Sequence, residues 1–136
     1  MPESASHIIL VRLLSKWIAE SLLDGEYGFI LIDNSASQIQ EKPPMINGYI
    51  PDIYVMKTAK CGVIIGEAKT SKDVERPHSL EQYEAFLRWC SKFDDSLLVL
   101  AVPWYQVRNV ESILRRLKKK IGAEYTTTKV LERLPG

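Results

Sequence analysis

Three polar residues, Asp52, Glu67 and Lys69, have the types and spacing that could act together on a phosphate group. Two carboxylates supply the hard oxygen ligands that magnesium prefers, and a nearby ammonium group can stabilise negative charge as it develops in a reaction. Glu67 follows the apolar run Val63-Ile64-Ile65-Gly66, and a charge in such a setting is rarely left unpaired. We therefore expect the two acids to share a divalent cation.

The segments that carry these side chains predict a two-stranded antiparallel hairpin. Residues 49–57 and 62–69 are rich in β-branched and apolar side chains, and a few polar residues separate them. If the turn lies at residues 59–60, Asp52 falls directly opposite Glu67 on one face of the hairpin. Like charges at that separation destabilise a sheet unless a cation offsets them. A slip of one residue would place the two acids on opposite faces.

The same residues also have an interpretation that involves no chemistry. Asp52 can simply begin a strand after Pro51, and Glu67 can be a solvated carboxylate whose ion-pair partner is Lys69 at an exposed sheet end. The apolar setting of Glu67 favours the metal site over this interpretation.

Apolar periodicity predicts the elements that must position this hairpin. A helix is expected first, then three strands, and then two helix–strand units, at residues 7–23, 27–33, 49–57, 62–69, 80–92, 96–102, 107–120 and 124–130. This order predicts an α/β fold in which a central mixed sheet is flanked by helices. The strand at 96–102 is apolar on both faces, so we expect it inside the sheet.

The motif formed by Pro51-Asp52 and, further along, Glu67-Ala68-Lys69 resembles the Pro-Asp…(Asp/Glu)-x-Lys signature of the restriction-endonuclease-like nuclease superfamily. The likeness extends to the order of elements over roughly residues 10–102. It implies a restriction-endonuclease-like fold of order αβββαβαβ, with residues 1–136 forming one nuclease-like domain.

The resemblance also implies a reaction and the residues that perform it. Asp52 and Glu67 would bind magnesium or manganese, the Ala68 carbonyl would complete the metal shell, and Lys69 would be the catalytic lysine. The expected activity is hydrolysis of phosphodiester bonds in nucleic acid, with a DNA endonuclease as the expected class.

Two further residues match positions that such nucleases use. Glu20, at the border of the first helix's apolar stripe, resembles the first-helix acid placed near the metal, although a solvated helix glutamate fits equally. Gln82, followed by Tyr83, resembles the glutamine-tyrosine element found after the Glu-x-Lys strand. Ser79 to Gln82 also spells a capping box, in which the glutamine only satisfies the helix end. Both alternatives stay open for each residue.

The histidines, cysteines and exposed aromatic residues are not assigned to the predicted site. His7 and His78 are too isolated for a histidine metal site, and we leave them off the site. Cys61 and Cys90 lack any CxxC or Cys/His spacing, which predicts two reduced thiols. Trp104 and Tyr105, after a strand end, are the aromatic residues expected to be partly exposed.

Composition limits the class of protein without identifying it. At 136 residues, 46% hydrophobic and 26% charged, the chain has the balance of one ordinary cytoplasmic domain, and no apolar run predicts a signal peptide or membrane span. A net charge of +1 neither requires nor excludes a nucleic-acid partner. A nuclease domain this small leaves half of its substrate unheld, so we expect a homodimer or a larger complex.

Two other functions compete with the nuclease hypothesis. One is a catalytically inactive module of the same fold that binds nucleic acid or a protein partner. An inactive domain has no chemical reason to retain Asp52, Glu67 and Lys69 together, which favours the active enzyme. The other is a nucleotide-using enzyme, and it lacks the GxxxxGK[ST] phosphate loop.

Overall fold

The computed structural model describes residues 5–33, 41–56 and 62–133. Within these residues three helices and five strands follow one another as α1 (Ala5–Leu22), β1 (Ile30–Ile32), β2 (Ile53–Val55), β3 (Ile64–Ala68), α2 (Pro77–Cys90), β4 (Leu97–Pro103), α3 (Val107–Ile121) and β5 (Thr127–Arg133). Short 3-10 turns follow β3 and β4, at Ser71–Asp73 and Trp104–Gln106. The α/β class predicted from the sequence is confirmed.

The five strands form one mixed sheet in the order β1-β2-β3-β4-β5. The first three strands pair antiparallel, whereas β3, β4 and β5 run parallel to one another. The strand β4 pairs on both sides, and it is buried from Leu98 to Pro103, as its apolar sequence predicts. Each parallel pair is connected through a helix, which is the usual crossover.

The first two strands are shorter than predicted because turns occupy part of their apolar segments. Before β1, the N–H of Ile30 donates to the Tyr27 carbonyl at 3.1 Å, so residues 27–29 form a turn. Before β2, Ile46 and Tyr49 exchange two backbone hydrogen bonds around Asn47-Gly48, both of which have positive φ. The predicted hairpin turn at residues 59–60 lies outside the described residues.

Helix α1 covers one face of the sheet, and α2 and α3 cover the other. On the α1 face, Gly66 permits close packing: a Cβ there would lie 3.0 Å from Leu14 Cδ2 and 3.3 Å from Ile18 Cδ1. On the opposite face, helix residues such as Phe86 and Leu114 pack with Ile65 and other strand residues in one buried cluster. The sheet is thus packed between two apolar layers, and this close packing holds the ends of its strands in fixed positions.

Two smaller predictions concern the cysteines and the membrane. Cys90 is a buried free thiol whose pKa is raised by burial, while Cys61 lies outside the described residues. None of the described helices is both long and apolar enough to span a membrane.

Candidate active site

The predicted hairpin register is confirmed. Strands β2 and β3 pair Ile53 with Gly66 and Val55 with Ile64, which is the alignment that places Asp52 opposite Glu67. Asp52 is the residue just before β2, and Glu67 is the second-to-last residue of β3. Both acids therefore lie at the same end of two neighbouring strands.

Reciprocal hydrogen bonds connect the two acids. The backbone N–H of Asp52 donates to Oε1 of Glu67 at 3.0 Å. The backbone N–H of Ala68, the next residue along β3, donates to Oδ2 of Asp52 at 2.8 Å. Each carboxylate is thus oriented in part by the backbone of the strand that carries the other.

The carbonyl of Ala68 faces the same side as these carboxylates. In a strand, the N–H and C=O of one residue point to the same neighbour, and the Ala68 N–H points to Asp52. Continuing the β2–β3 register places Ala68 opposite Pro51, which has no N–H to donate. Position 51 therefore donates no backbone hydrogen bond to the Ala68 carbonyl, which the sequence predicts to be a metal ligand.

Lys69 and Gln82 complete the cluster on the α2 side. The Lys69 ammonium lies 3.1 Å from Oε2 of Glu67 and donates to Oε1 of Gln82. The capping-box interpretation of Gln82 is wrong: α2 begins at Pro77, Arg76 is its N-cap residue, and no side chain caps the helix. The buried amide of Gln82 instead holds the lysine beside the acids.

Burial dominates the electrostatics of Glu67. The residue is 3% exposed. Removal from water, and to a smaller extent the negative charge of Asp52, raise the pKa of its carboxyl, while Lys69 and the Asp52 N–H lower it, and the net pKa is about 8. The nearby Lys69 ammonium therefore does not offset the cost of burying the charged carboxylate, and near neutral pH Glu67 binds a proton.

His7 belongs to the cluster, although sequence reasoning excluded it. Its Nε2 lies 3.1 Å from Oδ2 of Asp52, and both side chains are mostly shielded from solvent. Asp52 precedes the paired part of β2, so its carboxylate reaches the α1 side of the sheet end as well as the backbone of β3. The signal was present in the sequence: His7 continues the buried stripe of Val11, Leu14 and Ile18 at helical spacing.

Glu20 is not brought to this cluster. It is exposed near the end of α1, thirteen residues after His7. At 1.5 Å per residue, its Cα lies about 20 Å along the helix axis from the Cα of His7. The alternative of a solvated helix glutamate describes its position, and Glu20 is not placed to share a metal ion with Asp52.

The donor set fits a magnesium ion that keeps part of its water shell. Among the described residues, no group of three or more histidine, cysteine or acidic side chains has the arrangement of a self-sufficient metal site. Magnesium, however, commonly binds through one or two carboxylates and completes its shell with water and substrate phosphate oxygens. Asp52, Glu67 and the Ala68 carbonyl offer oxygen ligands of that kind, and a metal ion could replace the proton that the buried Glu67 carboxyl otherwise holds.

Comparison with known proteins adds no assignment. No protein-family model, curated protein or solved structure matches the chain. The features that bear on function are therefore the acids and the lysine at the end of β2 and β3, with the Gln82 amide of α2 beside them.

Proposed function

We propose that this protein is a metal-dependent nuclease that hydrolyses phosphodiester bonds, with DNA as its substrate and an endonuclease as its class. The observation that carries the proposal is the direct contact of Glu67 with both the Asp52 backbone and the Lys69 ammonium. An acidic pair and a lysine, held together at the end of adjacent strands, form the arrangement needed to act on a phosphate.

The ion that we propose is magnesium or manganese, held by Asp52, Glu67 and the Ala68 carbonyl. When bound, it would supply the charge that lowers the pKa of the attacking water and offsets the charge of the phosphate. His7 would hold the Asp52 carboxylate from the α1 side, and the Ala68 N–H would hold it from β3. Because these partners are fixed by the fold, the ligands need little rearrangement on binding.

Lys69 has the second role in the proposed reaction. Hydrolysis forms a bond between a water oxygen and phosphorus as the water gives up a proton, and it breaks the bond to the leaving deoxyribose oxygen, which gains a proton from solvent. The Lys69 ammonium, oriented by Gln82 and Glu67, would position the attacking water and stabilise the negative charge that builds up on the phosphate oxygens.

The fold that we propose is restriction-endonuclease-like, in a chain that acts as one nuclease domain. The antiparallel β1–β3 unit followed by the parallel strands β4 and β5, with α1 on one face and α2 and α3 on the other, supports this proposal. So does the placement of Asp52 and Glu67 on the antiparallel pair.

The test is a cleavage assay on duplex, branched and single-stranded DNA and on RNA, with magnesium, manganese or a chelator. We expect the wild type to cleave DNA only with metal, and Asp52→Asn and Lys69→Met to lose at least about a hundredfold in rate. Asp94→Asn and Lys119→Met change the same residue types at exposed positions outside the site, and both should retain activity.

The competing function is an inactive module of the same fold. Metal-dependent cleavage that survives both Asp52→Asn and Lys69→Met would refute the proposed mechanism. Binding of DNA without cleavage of any substrate, at equal strength in the wild type and in both site variants, would establish the inactive module instead.

A further inference from the structure

One long edge of the sheet is open. Within the described part of the chain, the seven-residue strand β5 pairs on one side only, with β4. The opposite edge is the three-residue strand β1, and short edges are a common protection against further pairing. The segment Thr127–Arg133 has no proline to interrupt it. A long unpaired edge is a template for another strand.

A groove of about 800 Å³ runs along this edge. Four consecutive residues of β5, 129–132, line it, which means that the strand edge itself is open, since one face would contribute only alternate residues. Leu13 and Trp17 of α1 form one wall, and the first turns of α3 form the other. At one end lie Trp104 and Tyr105, each 52% exposed. The groove thus has the shape that accepts an added strand.

We propose that the strand added here is β5 of a second copy of this chain, paired antiparallel about a two-fold axis beside Val130. Val130 is the middle residue of Thr127–Arg133, so this register pairs the strand over its whole length. A register centred on Lys129 or on Glu132 would place a like charge directly opposite its own copy, which is unfavourable. Pairing about Val130 avoids both of these like-charge contacts. The two five-stranded sheets then form one continuous sheet of ten strands.

Charge complementarity supports the second copy as the occupant. In this register, Thr128 lies opposite Glu132 of the other chain, on the α3 face. The Thr128 hydroxyl already accepts from the Lys118 ammonium, at 3.4 Å. The exposed Glu132 of each copy is therefore brought beside Lys118 of the other, and the two-fold axis makes two such pairs.

The test is a charge exchange followed by analytical ultracentrifugation over a range of concentrations. We expect the wild type to dimerise, and Glu132→Lys and Lys118→Glu each to raise the dimer dissociation constant by roughly tenfold or more, because like charges then meet twice. The double variant Lys118→Glu/Glu132→Lys should restore the wild-type constant. Glu26→Lys makes the same change near the β1 edge and should have no effect.

Hydrogen exchange keeps the proposal testable if Lys118→Glu fails to fold, since Lys118 also donates to the Thr126 carbonyl. We expect the backbone amides of β5 to exchange more slowly as wild-type concentration rises, and this effect to be lost in Glu132→Lys. A monomer at all concentrations, or a dimer whose constant is the same in Glu132→Lys, would overturn the proposal. Either result would leave the proposed nuclease site untouched.

Discussion

The backbone N–H of Asp52 donates to Oε1 of Glu67, so the strand that carries one acid orients the other. A backbone bond survives replacement of the Asp52 side chain, and Asp52→Asn therefore changes charge more than position. The effects of charge at this site can thus be separated from the effects of folding.

The first prediction concerns the pH dependence of stability in chelator. Burial and Asp52 raise the pKa of Glu67 from 4.5 to about 8, so between these pH values the folded protein holds a proton that the unfolded chain has released. Stability must therefore fall as the pH rises through this range, and the loss is complete above it. We expect Glu67→Gln to flatten this slope and to unfold at a higher temperature than the wild type at pH 8.

Thermal unfolding at several pH values between 5 and 8, followed by circular dichroism, would measure this slope. Glu124→Gln, at an exposed position, is the matched control and should keep the wild-type slope. Equal slopes in the wild type and Glu67→Gln would mean that the buried carboxyl does not titrate as described.

The second prediction concerns metal binding independently of catalysis. A ligand that binds only the folded state raises the unfolding temperature as its concentration increases. We expect magnesium to stabilise the wild type at pH 8, where it competes with the proton on Glu67, and to have little effect on Asp52→Asn. A magnesium effect of equal size in both proteins would place the binding site elsewhere.

The third prediction separates the role of Gln82 from a capping role. Gln82→Leu removes the acceptor that holds the Lys69 ammonium, while the start of α2 at Pro77 is unchanged. We expect a rate about tenfold lower or more, with KM and unfolding temperature near the wild-type values. Gln106→Leu changes a glutamine that contacts Ser71 and not Lys69, and should keep its activity. A loss of helix content with unchanged kcat would contradict this role.

Much of the fold and the central acids could be predicted because their signals are local. Alternating apolar residues identify the hairpin, and a turn assumed at residues 59–60 gives the register that places Asp52 opposite Glu67, which the pairing of β2 with β3 confirms. The strand ends were less predictable. Tight turns at residues 27–29 and 46–49 contain apolar residues whose pattern is also typical of a strand.

The helical contributions to the site could not be fixed in the same way. A helix pattern gives the buried face but not which end of the helix meets which strand end. Glu20 and His7 both lie on α1, and only the direction in which α1 crosses β3 decides that His7 reaches Asp52. That direction is a property of tertiary packing, whereas the sequence pattern is unchanged if the helix is reversed.

The fourth prediction tests this assignment on α1. We expect His7→Ala to raise the magnesium concentration needed for half-maximal activity, because Asp52 loses the contact that orients its carboxylate. Glu20→Gln should leave this concentration unchanged, since Glu20 is exposed at the other end of the helix. The reverse pattern, with Glu20→Gln impaired and His7→Ala normal, would restore Glu20 to the metal site.

The last prediction concerns how α1 is seated on the sheet. At Gly66 a methyl group would lie 3.0 Å from Leu14 Cδ2 and 3.1 Å from Ile53 Cβ, so these neighbours on α1 and β2 must move by a few tenths of an ångström to admit it. We expect Gly66→Ala to lower the free energy of unfolding by about 1–3 kcal/mol. Gly28→Ala, where a methyl would meet no atom within 4 Å, is the matched control.

Because the same helix carries His7, Gly66→Ala should also shift the magnesium dependence towards that of His7→Ala. Chemical denaturation and a magnesium titration of activity measure the two effects, and a Gly66→Ala protein as stable as the control would show that α1 does not pack this closely on β3.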